Sequence, residues 1–276
     1  MSDCQLRGDF VLNADEALRL LQITDTHLMA EQGGTLLTMD TDDSLAAVID
    51  TALAANHDPH ALLITGDIAG DGATSAYSRL ETALAPFDVP SFWLPGNHDG
   101  CASAQVPTER FSRTLTTPHW LVVMLNSQIE DEVGGHLAAT ELTALSAAVD
   151  TANASHRHLL VALHHPLHPL GCAWLDPQRV DNASAFMAEL SRCRMQSLVI
   201  SGHVHQQSDA RVAGVRYLTT PSTCIQFKPG EVDFKVHDIA PGYRWLTLHP
   251  DGSVETDVVR VQGRTFNVDL QSGGYL

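Results

Sequence analysis

Residues 18–27 read LRLLQITDTH: a run rich in Leu and Ile that stops at Asp25-Thr26-His27. A short apolar run closed by polar turn residues is the signature of a buried strand, so Leu18–Thr24 is expected to be one. The residues just beyond it carry a carboxylate and an imidazole. The same arrangement recurs along the chain. Ala61–Thr65 (ALLIT) leads into Gly66-Asp67, and Ser91–Leu94 into Pro95 and then Gly96-Asn97-His98-Asp99. Leu159–Leu163 (LLVAL) leads into His164-His165-Pro166, and Ser197–Ser201 (SLVIS) into Gly202-His203-Val204-His205. Helix signals fall between these runs. Ser44–Ala55 places Leu45, Val48, Ile49, Ala52 and Leu53 at the period of an amphipathic helix. Thr74–Ala85, with Thr74 as its expected N-cap, Ala138–Ala152 and Ala183–Arg192 are the other helices.

Strands alternating with helices predict an α/β fold. Trp120–Leu125 and Val215–Thr219 add strands. Tyr243–His249 and Ser253–Val261 flank Pro250-Asp251-Gly252 and read as a C-terminal β-hairpin. Two packed sheets with helices on their outer faces would use this many strands. No repeat or low-complexity linker divides the chain, so residues 1–276 are expected to form a single domain. Residues 1–17 read as an N-terminal extension and residues 262–276 as a loosely held tail.

Each of the five polar pieces follows a strand, and in open α/β sheets the ligand crevice lies beyond the carboxyl ends of the strands. The pieces are therefore expected to converge. Asp, Asn and His together suit Mn, Fe or Zn, and there are enough of them for two ions. Asp67 is the natural shared ligand, since the next carboxylate is Asp71. On extended backbone Asp25 and His27 would point the same way, as would His203 and His205. If the strand runs on to His164, then His164 and His165 face opposite sides; His164 is the favoured ligand. Two ions about 3.5–4 Å apart share a water and lower its pKa, which suits in-line attack on a phosphate ester. His98 is the candidate proton donor to the leaving group, with Asp99 orienting it or its loop. His98, Asn97 and His27 are the groups expected to meet the phosphate. Alone, Asp-x-His reads as a surface turn and Gly-His-x-His as a strand with solvated rings. The five in order, each after a strand, supply the context that a motif needs. His57, His60, His119, His136, His156, His158, His237 and His249 read as solvated or loop residues.

Bulk properties narrow the function. The formal charge is −17 with 16 Lys and Arg in all, which argues against nucleic acid. No run of about 18 apolar residues occurs, so no membrane span is expected, and the first residues do not read as a secretory signal. Five cysteines with no C-x-x-C fit a reducing cytoplasm better than a disulfide framework.

The ordered set D-x-H, G-D, G-N-H-D, H-x-P and G-H-x-H resembles the calcineurin-like metallophosphoesterase superfamily. That resemblance implies a four-layer α/β/β/α sandwich. It implies one metal on Asp25, His27, Asp67 and His205, a second on Asp67, Asn97, His164 and His203, and His98 against the phosphate or leaving group. Nearly the whole chain is similar to bacterial class III cyclic-AMP phosphodiesterases, through LQITDTHL (21–28), WLPGNHD (93–99), GCAWLD (171–176), SGHVHQ (201–206), TPSTCIQFKP (220–229) and IAPGYRWLTLHPDG (239–252). Gly134-Gly135-His136-Leu137 resembles that family's link into its next helix. The resemblance implies hydrolysis of 3′,5′-cyclic AMP to 5′-AMP with two divalent ions, Mn or Fe first and Zn or Mg next; the same chemistry on another small phosphate ester is the alternative, and a non-catalytic binding scaffold ranks below both. The partner is then a small cyclic nucleotide, with an oligomer possible. Residues 167–176 and 221–228 are the candidate pocket walls, with Trp174 or Phe227 available to stack on a base or to pack in the core.

Overall fold

The structure, a computed structural model, describes residues 8–9, 12–13, 15–100 and 113–274. Most of the N-terminal extension, with Cys4, and also Cys101 lie outside the described residues.

Two sheets face each other. In the first, β2 (Leu18–Ile23), β5 (Ala61–Thr65) and β6 (Ser91–Leu94) run parallel, and the hairpin β15 (Gly242–Leu248) and β16 (Val254–Arg260) joins antiparallel on the β2 side. In the second, β8 (Trp120–Met124), β9 (His158–Ala162), β10 (Ser197–Ser201) and β12 (Val215–Thr219) run parallel. Its edges carry β1 (Gly8–Asp9), β7 (Thr114–Thr116) and β11 (Ser208–Val212). Short pairs β3 (Thr35–Leu36) with β4 (Met39–Asp40), and β13 (Gln226–Phe227) with β14 (Val236–His237), lie apart from both sheets.

Strand periodicity builds the layers. Along β2, Leu18 and Leu20 enter the core between the sheets, while Leu21 and Ile23 face the outer layer. Along β8, Trp120, Val122 and Met124 face inward, and Leu121 and Val123 outward. The helices α1 (Thr41–Ala55) and α2 (Thr74–Leu84) cover the first sheet through Val48, Ile49, Tyr77 and Leu80. The second is covered by α3 (Ala139–Ser155) and α4 (Ala183–Leu190) through Leu145, Val149, Phe186 and Leu190. Because both faces of each sheet's centre are buried, the central strands β5, β8 and β9 read as nearly continuous apolar runs. The expected α/β/β/α layering and the C-terminal hairpin are both present.

Some local expectations change. Helix α1 starts earlier than Ser44, at Thr41, because Asp40 caps it: its carboxylate accepts the Asp43 N–H at 2.9 Å. Thr74 is the first helical residue and not the cap; Ala73 holds that position without a side-chain bond. Strand β11 was not legible, since its sequence SDARV is mostly exposed and polar, as suits an edge. His158 is 8% exposed within β9, and its Nε2 lies 3.2 Å from the Pro250 carbonyl, so it is not solvated. Residues 262–274 contain neither helix nor strand, yet Phe266 and Val268 pack on core clusters and the Asp269 N–H donates to the Leu37 carbonyl at 2.9 Å.

Candidate metal centre

All five polar pieces leave the carboxyl ends of parallel strands: β2 before Asp25, β5 before Asp67, β6 before Asn97, β9 before His164, β10 before His203. The two sheets present these ends side by side. Asp25, His27, Asp67, His164, His203 and His205 are each no more than 4% exposed. Asn97 and His98 are half-buried and form the open side of the cluster.

The side chains divide into two sets around one atom. In the first, His27 Nε2 and His205 Nε2 face each other at 3.2 Å, His205 Nε2 lies 3.3 Å from Asp25 Oδ1, and His27 Nε2 lies 3.6 Å from Asp67 Oδ2. In the second, His164 Nε2 is 3.2 Å from both Asp67 Oδ2 and Asn97 Oδ1, and His203 Nδ1 is 3.0 Å from Asn97 Oδ1. Asp67 Oδ2 belongs to both sets. Its other oxygen is occupied, accepting the His98 backbone N–H at 2.8 Å.

The donor set fits divalent cations. Ligand atoms about 2.0–2.2 Å from one ion sit roughly 3 Å from each other, the spacing found here. Hydrogen bonds already fix which ring nitrogen is bare. The Nδ1–H of His164 donates to the Thr65 carbonyl, and that of His205 to the Ile225 carbonyl, both at 2.8 Å. The Nε2–H of His203 donates to Gln178 Oε1 at 3.1 Å. Each leaves the opposite nitrogen turned into the cluster, as metal-binding histidines require.

Charge supports the same reading. Burial pushes His27 and His203 well below the ordinary imidazole range, so both rings stay neutral, the ligating form. Burial opposes ionisation of Asp67, but the facing His164 and then His98 outweigh it and hold this carboxyl well below its usual range. Against its own burial, Asp67 pushes His164 up to about 9, so this ring would release its Nε2 proton when a cation takes that place. So much desolvated charge and so many lone pairs facing one another are costly without a cation between them.

The backbone departs from the extended form expected here. Asp25, His27, Asp67, His203 and His205 all have positive φ, at 54°, 45°, 49°, 67° and 48°. Non-glycine residues in the left-handed region are uncommon and cost free energy; five among the candidate ligands mark a site where tertiary contacts impose the conformation. Asp25 shows how. Its carboxylate accepts the His203 N–H at 3.0 and 3.1 Å and the Thr24 hydroxyl at 2.6 Å, tying the first sheet's loop to the second's.

Asp99 lies behind the ligands and not at the reacting side. It is fully buried and accepts backbone N–H groups from Gly96 at 2.8 Å, Ala69 at 2.9 Å and Ile68 at 3.3 Å. It orients the Asn97–His98 loop against the Asp67 loop. Burial, then Asp67, pushes it up to about 6. His165 lies beside the cluster, its ring 4.6 Å from that of His203, but both of its nitrogens have other partners: the Ser127 hydroxyl at 2.8 Å and the Val133 carbonyl at 3.1 Å. Residues 220–227 are wholly buried and back the ligands instead of walling a pocket. Ser222 donates to the Asp25 carbonyl at 2.6 Å, and the Phe227 ring stacks on His205 at 4.2 Å. Phe227 is therefore a support for a ligand and not a platform for a base. Trp174 packs edge-on against Phe227 and Phe234. Gln178 is the residue that sequence reading missed, having no motif around it.

Gly96 is required by close approach. A Cβ there would overlap Asp67 Oδ1 and the Asp67 backbone nitrogen. Gly96→Ala is therefore expected to displace Asp67, weaken metal binding and cost about 1–3 kcal/mol of stability. Thermal melting with and without Mn(II) checks this, and an unchanged metal-dependent shift would contradict it.

Comparison with known proteins places this geometry in a family. The model of the calcineurin-like phosphoesterase family matches residues 18–207, the span holding every candidate ligand. The chain is 38% identical to the 3′,5′-cyclic adenosine monophosphate phosphodiesterase CpdA of Pseudomonas aeruginosa, over 95% of this chain and 96% of that one. It is 36% identical to the protein of the same name from Escherichia coli K12, over 96% and 97% of the two chains. A dimetal phosphatase from Danio rerio shares the fold with a TM-score of 0.63 at 16% identity, covering 90% of this chain and 100% of the other. With more than half its length matched by the family model, and relatives above 30% identity along nearly all of it, the chain belongs to the calcineurin-like phosphoesterase family.

Proposed function

We propose that this chain hydrolyses 3′,5′-cyclic AMP to 5′-AMP with two divalent metal ions. The observation that carries the reading is the single oxygen Asp67 Oδ2, within 3.2 Å of His164 Nε2 and 3.6 Å of His27 Nε2, which joins two ligand sets into one centre. The substrate follows from the relatives' names and the extent of the similarity to them.

Asp25, His27, Asp67 and His205 would hold one ion, and Asp67, Asn97, His164 and His203 the other. When bound, such ions neutralise the phosphate and lower the pKa of water near them. The chain's own residues do the rest. Asp67 fixes the spacing of the two sets and anchors the His98 backbone. In the reaction a water gives up a proton to solvent, its oxygen bonds to phosphorus, the P–O3′ bond breaks, and O3′ takes up a proton. His98, half-buried on the open side with its ring 4.8 Å from that of His27, is positioned to give that proton. Mixed carboxylate, amide and imidazole donors favour Mn and Fe, then Zn, with Mg the least suited to imidazole. Cys172, Cys193 and Cys224 are free thiols, which supports a cytoplasmic setting. No helix among the described residues is long and apolar enough to cross a membrane.

Product analysis across a panel of cyclic nucleotides and simple phosphodiesters tests the substrate. Preference for 3′,5′-cyclic AMP by orders of magnitude is expected; equal rates on simple diesters would refute it. Chelation is expected to abolish activity, and Mn(II) or Fe(II) to restore it. At about a thousand times Kd, bound metal adds about 4 kcal/mol and raises Tm by roughly 10 °C; full activity in stripped protein would sink the mechanism.

A further inference from the structure

We propose that Gln178 is a positioning residue for the second metal, acting through His203. The proposal rests on the reading of His203 as a ligand. Gln178 lies at the end of the short 3-10 turn Asp176–Gln178, outside every motif in the chain. Its Oε1 accepts the Nε2–H of His203 at 3.1 Å, and its Nε2 donates to the Trp174 carbonyl at 3.1 Å. The second bond fixes the amide: with the nitrogen committed to a carbonyl, the oxygen must face His203.

The consequence is a defined tautomer. His203 is 4% exposed, so water is a poor substitute for the acceptor. With Gln178 in place the ring proton stays on Nε2, and Nδ1, 3.0 Å from Asn97 Oδ1, keeps its lone pair for the metal. The other two rings with defined partners use backbone carbonyls, those of Thr65 and Ile225. Of these three rings, His203 is the one held by a side chain, so it can be detuned by substitution without touching a ligand. Gln178 also joins the ring to the segment that carries Trp174. Asp176 braces that segment by accepting the Leu170 N–H at 2.7 Å and the Gly171 N–H at 3.2 Å.

The two bonds of Gln178 can be separated. Gln178→Glu keeps an acceptor for His203 and loses the donor to Trp174; Gln178→Leu loses both. Calorimetric titration of the chelator-stripped full chain with Mn(II) is the test. Gln178→Leu is expected to weaken one of two binding events by about 10–100-fold, the usual effect of removing such a partner, and to leave the other unchanged. Gln178→Glu is expected to retain both. Wild-type affinities in Gln178→Leu would overturn the proposal. Equal losses in the Leu and Glu variants would also overturn it, because the tether to Trp174 would then be what matters. His203→Ala is the control for the underlying reading: if it still binds two ions with wild-type affinity, His203 is not a ligand and the proposal falls for that separate reason.

Discussion

Asp67→Asn is expected to loosen both metal sets at once and to lower turnover by about 10⁴-fold. Removing a partner one shell further out typically costs 10–100-fold at a single metal; here two sets lose a direct ligand, and the losses multiply. The substitution keeps the volume and can keep the bond from the His98 N–H, so the loop should remain in place. What it removes is the charge. His164, raised to about 9 by Asp67, loses the carboxylate that offsets its burial and falls. Metal analysis should show less than two ions per chain under conditions that saturate the parent, with the far-ultraviolet circular dichroism unchanged. Two tightly held ions in the variant would show that Asp67 is not the shared ligand.

His98→Ala is expected to keep both ions and lose rate, by about 10²–10⁴-fold on cyclic AMP, the range for one general acid. Its anchor is a backbone bond, to Asp67 Oδ1, so truncating the ring leaves the loop tied. The size of the loss should depend on the leaving group. An alkoxide such as O3′ needs a proton, whereas a nitrophenolate leaves readily without one. A panel of diesters should therefore give a steep dependence for the variant and a shallow one for the parent. Equal losses on every substrate would remove the proton-donor role and leave His98 as a phosphate contact.

The sequence by itself determined the strand ends, the order of the five polar pieces and the sandwich they imply. Those are local matters: an apolar run of five or six residues makes a buried strand, and whatever follows it must emerge at the sheet's edge. Asp67 as the candidate shared ligand was legible for a similar reason, being the single carboxylate at its strand end, and its Oδ2 lies between the two sets. The tertiary structure decided which atoms of these residues are usable. The left-handed backbone at Asp25, His27, Asp67, His203 and His205 replaces the extended form expected, because loops from two sheets brace one another, as the Asp25 carboxylate does on the His203 N–H. The ring proton positions depend on Thr65, Ile225 and Gln178, which lie 99, 20 and 25 residues from the histidines they bind. Packing also chose between open alternatives: Asp99 orients the His98 loop and not the His98 ring, and Phe227 packs beneath His205 instead of stacking on a base. Which residues are candidate metal ligands follows from composition and local order; which ring nitrogen faces the cluster follows from contacts made only when distant segments pack.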